Sequence, residues 1–104
     1  MSHKVTHIGD GAFENCSKLT SITIQYGVTS IGDNAFNRCS GLTSIAIPNN
    51  VTNIGNNAFN GCNGLASIIY DGESFTNKTN LTNAMKHYYV VKIGTNVFDG
   101  TKLN

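Results

Sequence analysis

A 23-residue period runs through most of this 104-residue chain, and it restricts the possible folds more than any other feature. Three contiguous copies begin at Val5, Val28 and Val51. The first and second copies share 14 of 23 residues, and the second and third share 13. Contiguous copies of this length are typical of a solenoid, in which each coil buries its apolar side chains only against neighbouring coils.

Ten positions are identical in all three copies, and most of them are apolar. The residues between them vary, mainly among Asn, Asp, Ser and Gly. Apolar residues repeated at a fixed period predict columns of identical side chains along the core of the stack. In the second copy the ten positions are Val28, Thr29, Ile31, Gly32, Ala35, Phe36, Cys39, Leu42, Ser44 and Ile45.

Each coil is predicted to contain two extended segments. Residues 42–47 alternate between apolar and polar after Leu42, which indicates a strand. Residues 28–31 predict a second, shorter extended segment on the opposite side of the coil. Between them Gly32 turns the chain, and residues 33–36 favour one helical turn of the 3₁₀ kind that begins with Asp or Asn.

The repeat is interrupted after Tyr70. Residues 71–78 are polar and predict a loop, and residues 80–89 predict a short helix with Thr79 or Asn80 as its N-cap. The apolar residues on one face of that helix are Leu81, Ala84, Met85, Tyr88 and Tyr89.

The repeat resumes at Val90, with Val97 in the position of the repeated alanine. We therefore expect one domain over residues 1–104. It comprises three repeats over residues 5–73, an insertion with a short helix over residues 74–89, and a partial fourth repeat over residues 90–104.

The repeat resembles the leucine-rich repeat family in the 23-residue form known from BspA-like surface proteins. The family pattern C-x-x-L-x-x-I-x-I-P-x-x-V-x-x-I-G-x-x-A-F is present here from Cys39 to Phe59. The resemblance is close over residues 5–70 and looser from Val90. It implies a mainly β solenoid of short parallel strands stacked in a right-handed coil. It also implies a binding or adhesion module, as a fragment of a larger secreted or cell-surface protein.

The composition argues against several other functions. Charged residues make up 12% of the chain and the net charge is +1, so no basic stripe is present to bind nucleic acid. No apolar run is long enough for insertion into a membrane. The acidic residues are not arranged as a general acid and base, and we expect neither catalysis nor a cofactor.

Three cysteines, Cys16, Cys39 and Cys62, occupy the same position in successive copies. Metal sites need closely spaced ligand pairs, and a nucleophile needs a neighbouring base; the cysteines have neither. They are therefore predicted to be small apolar core residues whose parallel side chains disfavour disulfides. His3 and His7 form an H-x-x-x-H spacing, but the segment is not helical and is not expected to bind a metal.

The strand residues that point away from the core form the candidate binding surface. They are mostly hydroxylic and nearly uncharged, which favours broad, shallow contact with a protein or a glycan. In the family that the chain resembles, the corresponding concave face commonly takes ligands, whereas the alternative is a merely solvated sheet face. The residues are Ser21, Thr23, Gln25, Ser44, Ala46, Pro48, Ser67, Ile69 and Asp71.

Two further questions stay open in the sequence. Met85, Tyr88 and Tyr89 of the insertion are a second candidate surface, unless the helix packs on the last full coil. The four residues before Val5 are too few to cover the first coil, so we expect either a segment of a longer array or self-association through this open coil. The resemblance implies an extracellular or cell-surface location, and a cytoplasmic scaffold or a ligand-free spacer is the alternative.

Overall fold

Two sheets run along the stack of coils in the computed structural model, which describes residues 5–87 and 90–104. The first sheet contains short strands and the second contains longer ones. In chain order the elements are β1 (His7–Ile8), β2 (Ser21–Thr23), β3 (Ser30–Ile31), β4 (Ser44–Ile47), β5 (Asn53–Ile54), β6 (Ser67–Tyr70), β7 (Glu73–Phe75), α1 (Lys78–His87) and β8 (Lys92–Ile93). The first sheet has the order β1-β3-β5-β8, and the second has the order β2-β4-β6-β7.

The pairing register follows the sequence period. Ser21 lies opposite Ser44, and Ser44 lies opposite Ser67, all in parallel strands. The strand residues of the first and second coils therefore lie opposite their counterparts one repeat later, which confirms the predicted solenoid of short parallel strands. The predicted short extended segment on the opposite side is also present as β3.

Four phenylalanine rings stack into one column through the core. The ring centroids of Phe13 and Phe36 are 5.2 Å apart, those of Phe36 and Phe59 are 5.3 Å apart, and those of Phe59 and Phe98 are 5.9 Å apart. All three pairs lie within 6° of parallel. The repeated Ile, Leu, Val and Cys positions are buried around them in the second and third coils. The predicted columns of identical side chains are confirmed.

The segment predicted as a helical turn is instead a run of separate turns. Asn34 has a φ of 59°, in the left-handed region, so residues 33–36 cannot continue as a right-handed helix. The Ala35 N–H donates to the Gly32 carbonyl within the coil, whereas the Asn34 and Phe36 N–H groups donate to the next coil. Alternate backbone groups thus close the turn and join the coils. The prediction of a helical turn was wrong, because the backbone N–H groups of Asn34 and Phe36 bond to the next coil and not within the turn.

The glycine after the repeated isoleucine allows two coils to approach closely. A Cβ atom on Gly55 would lie 2.5 Å from the Asp33 backbone nitrogen, and one on Gly32 would lie 2.6 Å from that of Asp10. Real Cβ atoms do not make such contacts, so the coil spacing at these positions requires glycine. The same approach lets the Asp33 N–H donate to the Asp10 carboxylate at 2.8 Å, and the Asn56 N–H to the Asp33 carboxylate at 2.8 Å.

Residues 71–78 do not form the predicted loop. Asp71 and Gly72 have φ values of 53° and 79° and make a two-residue hairpin turn, a conformation that Asp-Gly favours. The chain then returns as β7, antiparallel to β6. The fourth position of the second sheet is therefore filled by a reversed strand, whereas β8 continues the first sheet in parallel.

The predicted helix is present but begins earlier than expected, at Lys78. Its N-cap is Asn77, whose side-chain oxygen accepts from the Asn80 N–H at 3.0 Å, so Thr79 and Asn80 lie inside the helix. Leu81 and Met85 are buried, and α1 contacts β6 and β7. The helix packs on the last full coil, while Tyr88 and Tyr89 lie outside the described residues. No helix in the described part of the chain is long and apolar enough to cross a membrane.

Candidate functional site

The nine predicted surface residues all lie outside the core, along the second sheet. Ser21, Thr23, Gln25, Ile69 and Asp71 are exposed, and the other four are partly exposed. The strand register places Thr23, Ala46 and Ile69 side by side on neighbouring strands. The alternation in the sequence located these side chains correctly relative to the core, and their role in binding stays a prediction.

A shallow groove of about 390 Å³ crosses this surface. Its lining includes Thr23, Ala46, Pro48, Ile69 and Asp71 from the predicted set. The small Ala46 lies on the middle strand, between Thr23 and the larger Ile69. The structure thus brings together five of the nine predicted residues. Gln25 and the serines Ser21, Ser44 and Ser67 do not line the groove.

Tyr26 also lines the groove, although it is not among the nine predicted surface residues. This side chain is 80% exposed, more than almost any other large apolar residue of the described chain. The same repeat position holds Asn49 and Gly72 in the next two copies. A large aromatic residue at a position that other copies fill with polar or small residues is not needed for the core. In the sequence, this difference between Tyr26 and its counterparts is the feature that indicates a surface role for Tyr26.

The charge of the groove comes from Asp71. Its carboxylate accepts a hydrogen bond from the Asn49 side-chain amide at 2.9 Å, and both residues are in the lining. The lining contains no lysine or arginine. The lining of the groove is therefore mainly apolar and contains one carboxylate, which accepts a hydrogen bond.

Comparison with known protein families assigns this chain to a repeat family. The family model of the BspA type leucine rich repeat region (6 copies) matches residues 1–104. The chain belongs to the BspA-type leucine-rich repeat family.

A solved structure of another leucine-rich protein is also similar to this chain. The chain is similar to the crystal structure of a leucine rich cell surface protein from Faecalibacterium prausnitzii A2-165, with 33% sequence identity and a TM-score of 0.70. The match covers 86% of this chain but 21% of the other, so the chain spans about a fifth of that protein. No curated protein matches the chain.

Two of the three cysteines, Cys39 and Cys62, are buried core residues, whereas Cys16 is partly buried and packs against the core. The Cys39 thiol donates to the Phe13 carbonyl at 3.0 Å, and the Cys62 thiol donates to the Phe36 carbonyl at 2.9 Å. Burial raises the pKa of Cys39 above its usual value and that of Cys62 to about 12. A nucleophile or metal ligand requires the thiolate, which burial disfavours at these two positions. All three cysteines are free, and the predicted role of Cys39 and Cys62 as core residues is confirmed.

His7, Asp10 and Asp33 are engaged in hydrogen bonds between coils. His7 hydrogen-bonds the Ser30 hydroxyl, and His3 lies outside the described residues. The carboxylates of Asp10 and Asp33 accept backbone N–H groups of the following coils. Within residues 5–87 and 90–104, no group of three His, Cys, Asp or Glu residues is placed to hold a metal ion.

Proposed function

We propose that this chain is a non-catalytic binding module of a larger cell-surface BspA-type protein. It contacts a protein or a glycan through the groove on the second sheet. Family membership supports a repeat module, and the similar crystal structure is that of a cell surface protein. The short span relative to that protein fits one module within a longer array.

The observation that carries this proposal is the exposed apolar lining of the groove. Tyr26 is 80% exposed and Ile69 is 37% exposed, although both residues would gain free energy from burial. Exposed aromatic and aliphatic side chains that line one depression are typical of an interaction surface. Because the groove is shallow and bordered by a carboxylate, it fits a side chain or a sugar ring better than a fully enclosed small molecule.

The proposal of a non-catalytic role rests on how the reactive groups are used. Cys39 and Cys62 are buried thiols, and Asp10 and Asp33 serve as acceptors between coils. The groove itself holds one carboxylate and no cysteine or histidine. General acid–base or nucleophilic catalysis needs a pair of such groups within hydrogen-bonding reach, and the groove lacks that pair.

The test is a pair of charge-matched substitutions on opposite sheets. Ala46→Arg fills the middle of the groove, whereas Asn53→Arg adds the same side chain at an exposed position of β5. The wild-type chain and both variants are tested against arrays of extracellular matrix proteins and glycans. We expect Ala46→Arg to weaken binding at least about tenfold and Asn53→Arg to change it little. Equal effects of the two variants would contradict the proposed site.

An intracellular scaffold is a second candidate, because the three free thiols are compatible with a reducing compartment. This function would use the same groove but would bind proteins from the cell interior rather than extracellular ones. A spacer would show no binding in either set, and the Ala46→Arg variant would then behave as the wild type does.

A further inference from the structure

Two Asn-Gly pairs lie in the third coil, and the rest of the sequence contains none. They are Asn60-Gly61 and Asn63-Gly64. In such a pair the backbone nitrogen of the glycine can attack the side-chain amide carbon of the asparagine, because glycine has no Cβ atom to hinder the approach. The hydrogen bonds and exposure of each pair therefore decide which of the two is free to react.

The first pair is held by hydrogen bonds to the neighbouring segment of residues 90–104. The Gly61 N–H donates to the Asp99 carbonyl at 2.8 Å, so the attacking nitrogen is directed towards that segment. The Asn60 side-chain amide donates to the Asn96 carbonyl at 3.3 Å. Both reacting groups have to give up a hydrogen bond before the attack, and this requires local opening of the stack.

The second pair has neither of these restraints. Asn63 is exposed, and no described residue forms a hydrogen bond with its side chain or with the Gly64 N–H. The two residues are the central pair of a four-residue turn, which the Leu65 N–H closes by donating to the Cys62 carbonyl at 3.0 Å. The attacking nitrogen and the amide carbon thus belong to adjacent residues at a surface turn that water reaches.

The turn itself does not require an asparagine at this position. The first and second copies have Ser17 and Ser40 where the third copy has Asn63. A serine side chain has a hydroxyl group and no carbonyl carbon for the backbone nitrogen to attack. In the second copy the same glycine follows, as Gly41, so Ser40-Gly41 is an unreactive version of the same turn.

We propose that Asn63 is a site of spontaneous deamidation in the folded protein and that Asn60 is protected from it. A base in the solvent removes the Gly64 amide proton, and the nitrogen bonds to the Asn63 side-chain carbon. The bond from that carbon to the side-chain nitrogen breaks, and ammonia leaves with a proton from water. The product is a succinimide ring, which one water molecule opens at either carbonyl to give aspartate or isoaspartate. Water is the only other reactant.

Isoaspartate at this position changes the turn. It moves the peptide link onto the side-chain carbon, which adds one methylene group to the backbone before Gly64. A Cβ atom on Gly64 would lie 3.0 Å from the Ser40 carbonyl oxygen, so this glycine is already close to the preceding coil. The next residue, Leu65, is fully buried. Because the longer backbone cannot keep both positions without strain, we expect the isoaspartate form to be less stable.

The experiment follows the wild-type chain at mildly alkaline pH over several weeks by peptide mass spectrometry, in buffer and in concentrated guanidinium chloride. In buffer we expect Asn63 to deamidate at least about tenfold faster than Asn60. In the denaturant both pairs should react at comparable rates, because the hydrogen bonds of the stack are absent. Equal rates in buffer, or a faster reaction at Asn60, would overturn the proposal. A tenfold difference that persists in the denaturant would also overturn it, since the flanking sequence would then be the cause.

Two matched variants assign the reaction and its consequence. Asn63→Ser introduces the residue of the earlier copies and should abolish most of the ammonia release, whereas Asn60→Ser should leave it nearly unchanged. After ageing, the thermal midpoint of the wild type should fall as isoaspartate accumulates, and that of Asn63→Ser should stay constant. Electron-transfer fragmentation identifies the isoaspartate. An unchanged midpoint in a chain that contains isoaspartate at position 63 would overturn the expected effect on the turn.

Discussion

The first and third coils share ten of their 23 residues, among them the repeated Phe and Gly, yet they differ in how well those shared residues are enclosed. Phe59 is fully buried between two other rings, whereas Phe13 is half-buried with one stacking partner. Gly55 lies against the preceding coil, whereas a Cβ atom on Gly9 would meet nothing within 4 Å. In a solenoid the contribution of a residue to stability therefore depends on which coils flank it, and not only on its identity.

The largest expected effect comes from the phenylalanine column. Phe59→Ala should lower the free energy of unfolding by about 3–5 kcal/mol, because it leaves a cavity between two coils. Phe13→Ala should cost less than half of that, since water already reaches this ring. Urea unfolding followed by circular dichroism measures both. Equal losses would show that the Phe13 ring is enclosed as fully as the Phe59 ring.

The second effect concerns the repeated glycine. Gly55→Ala should destabilise the fold by about 1–3 kcal/mol, because the added Cβ atom forces two coils apart. Gly9→Ala at the matched position of the first coil should stay within about 0.5 kcal/mol of the wild type. The same unfolding measurement applies. A large loss on Gly9→Ala would mean that another segment covers the first coil.

The third prediction concerns the N-cap of α1. Asn77→Ala should cost about 1 kcal/mol, because it removes the side-chain acceptor at the start of α1. Asn83→Ala, an exposed position within the same helix, should be neutral or slightly stabilising. Proteolysis within residues 78–87 should become faster only in the Asn77 variant. If Asn77→Ala changed neither the free energy of unfolding nor the rate of proteolysis, the stability of α1 would not depend on its N-cap.

The smallest expected effect is a loss of stability at high pH that comes from the buried Cys62 thiol. The pKa of Cys62 is raised by burial from 9.0 to about 12 in the folded chain, so only the neutral thiol is compatible with the core. Its contribution to stability is complete below pH 9 and is lost as the pH rises from 9 towards 12. Between pH 7 and pH 9.5 the wild type should lose about 0.8 kcal/mol more than Cys62→Ala does. If both proteins lost the same free energy of unfolding over this pH range, the Cys62 thiol would not be buried in solution.

Much of the fold could be predicted because the same apolar and turn residues recur at the same positions in three copies. The columns of Phe, Ile, Leu and Cys follow from the period, and the strand alternation places Thr23, Ala46 and Ile69 on the outer face. Asp71-Gly72 is a local hairpin signal, whereas the polar composition of residues 71–78 on its own indicates a loop.

Other features required the assembled stack. Residues 33–36, with Asp33 as a cap, predict a helical turn when the segment is taken alone, whereas in the stack the Asn34 and Phe36 N–H groups donate to the neighbouring coil. Tyr26 was missed because its position carries no periodic signal, and only the folded chain shows that it shares a groove with Ile69.

The sequence by itself determined the coil, its core columns and the faces of its strands, since these depend on side chains at a regular spacing. Tertiary structure alone decided how far each copy of a repeated residue is buried, so that Phe13 is half-buried and Phe59 is fully buried. It also decided that an aromatic ring from one coil and an isoleucine from another border one groove. The physical reason is that burial depends on neighbours in space, and identical coils at different places in a stack have different neighbours.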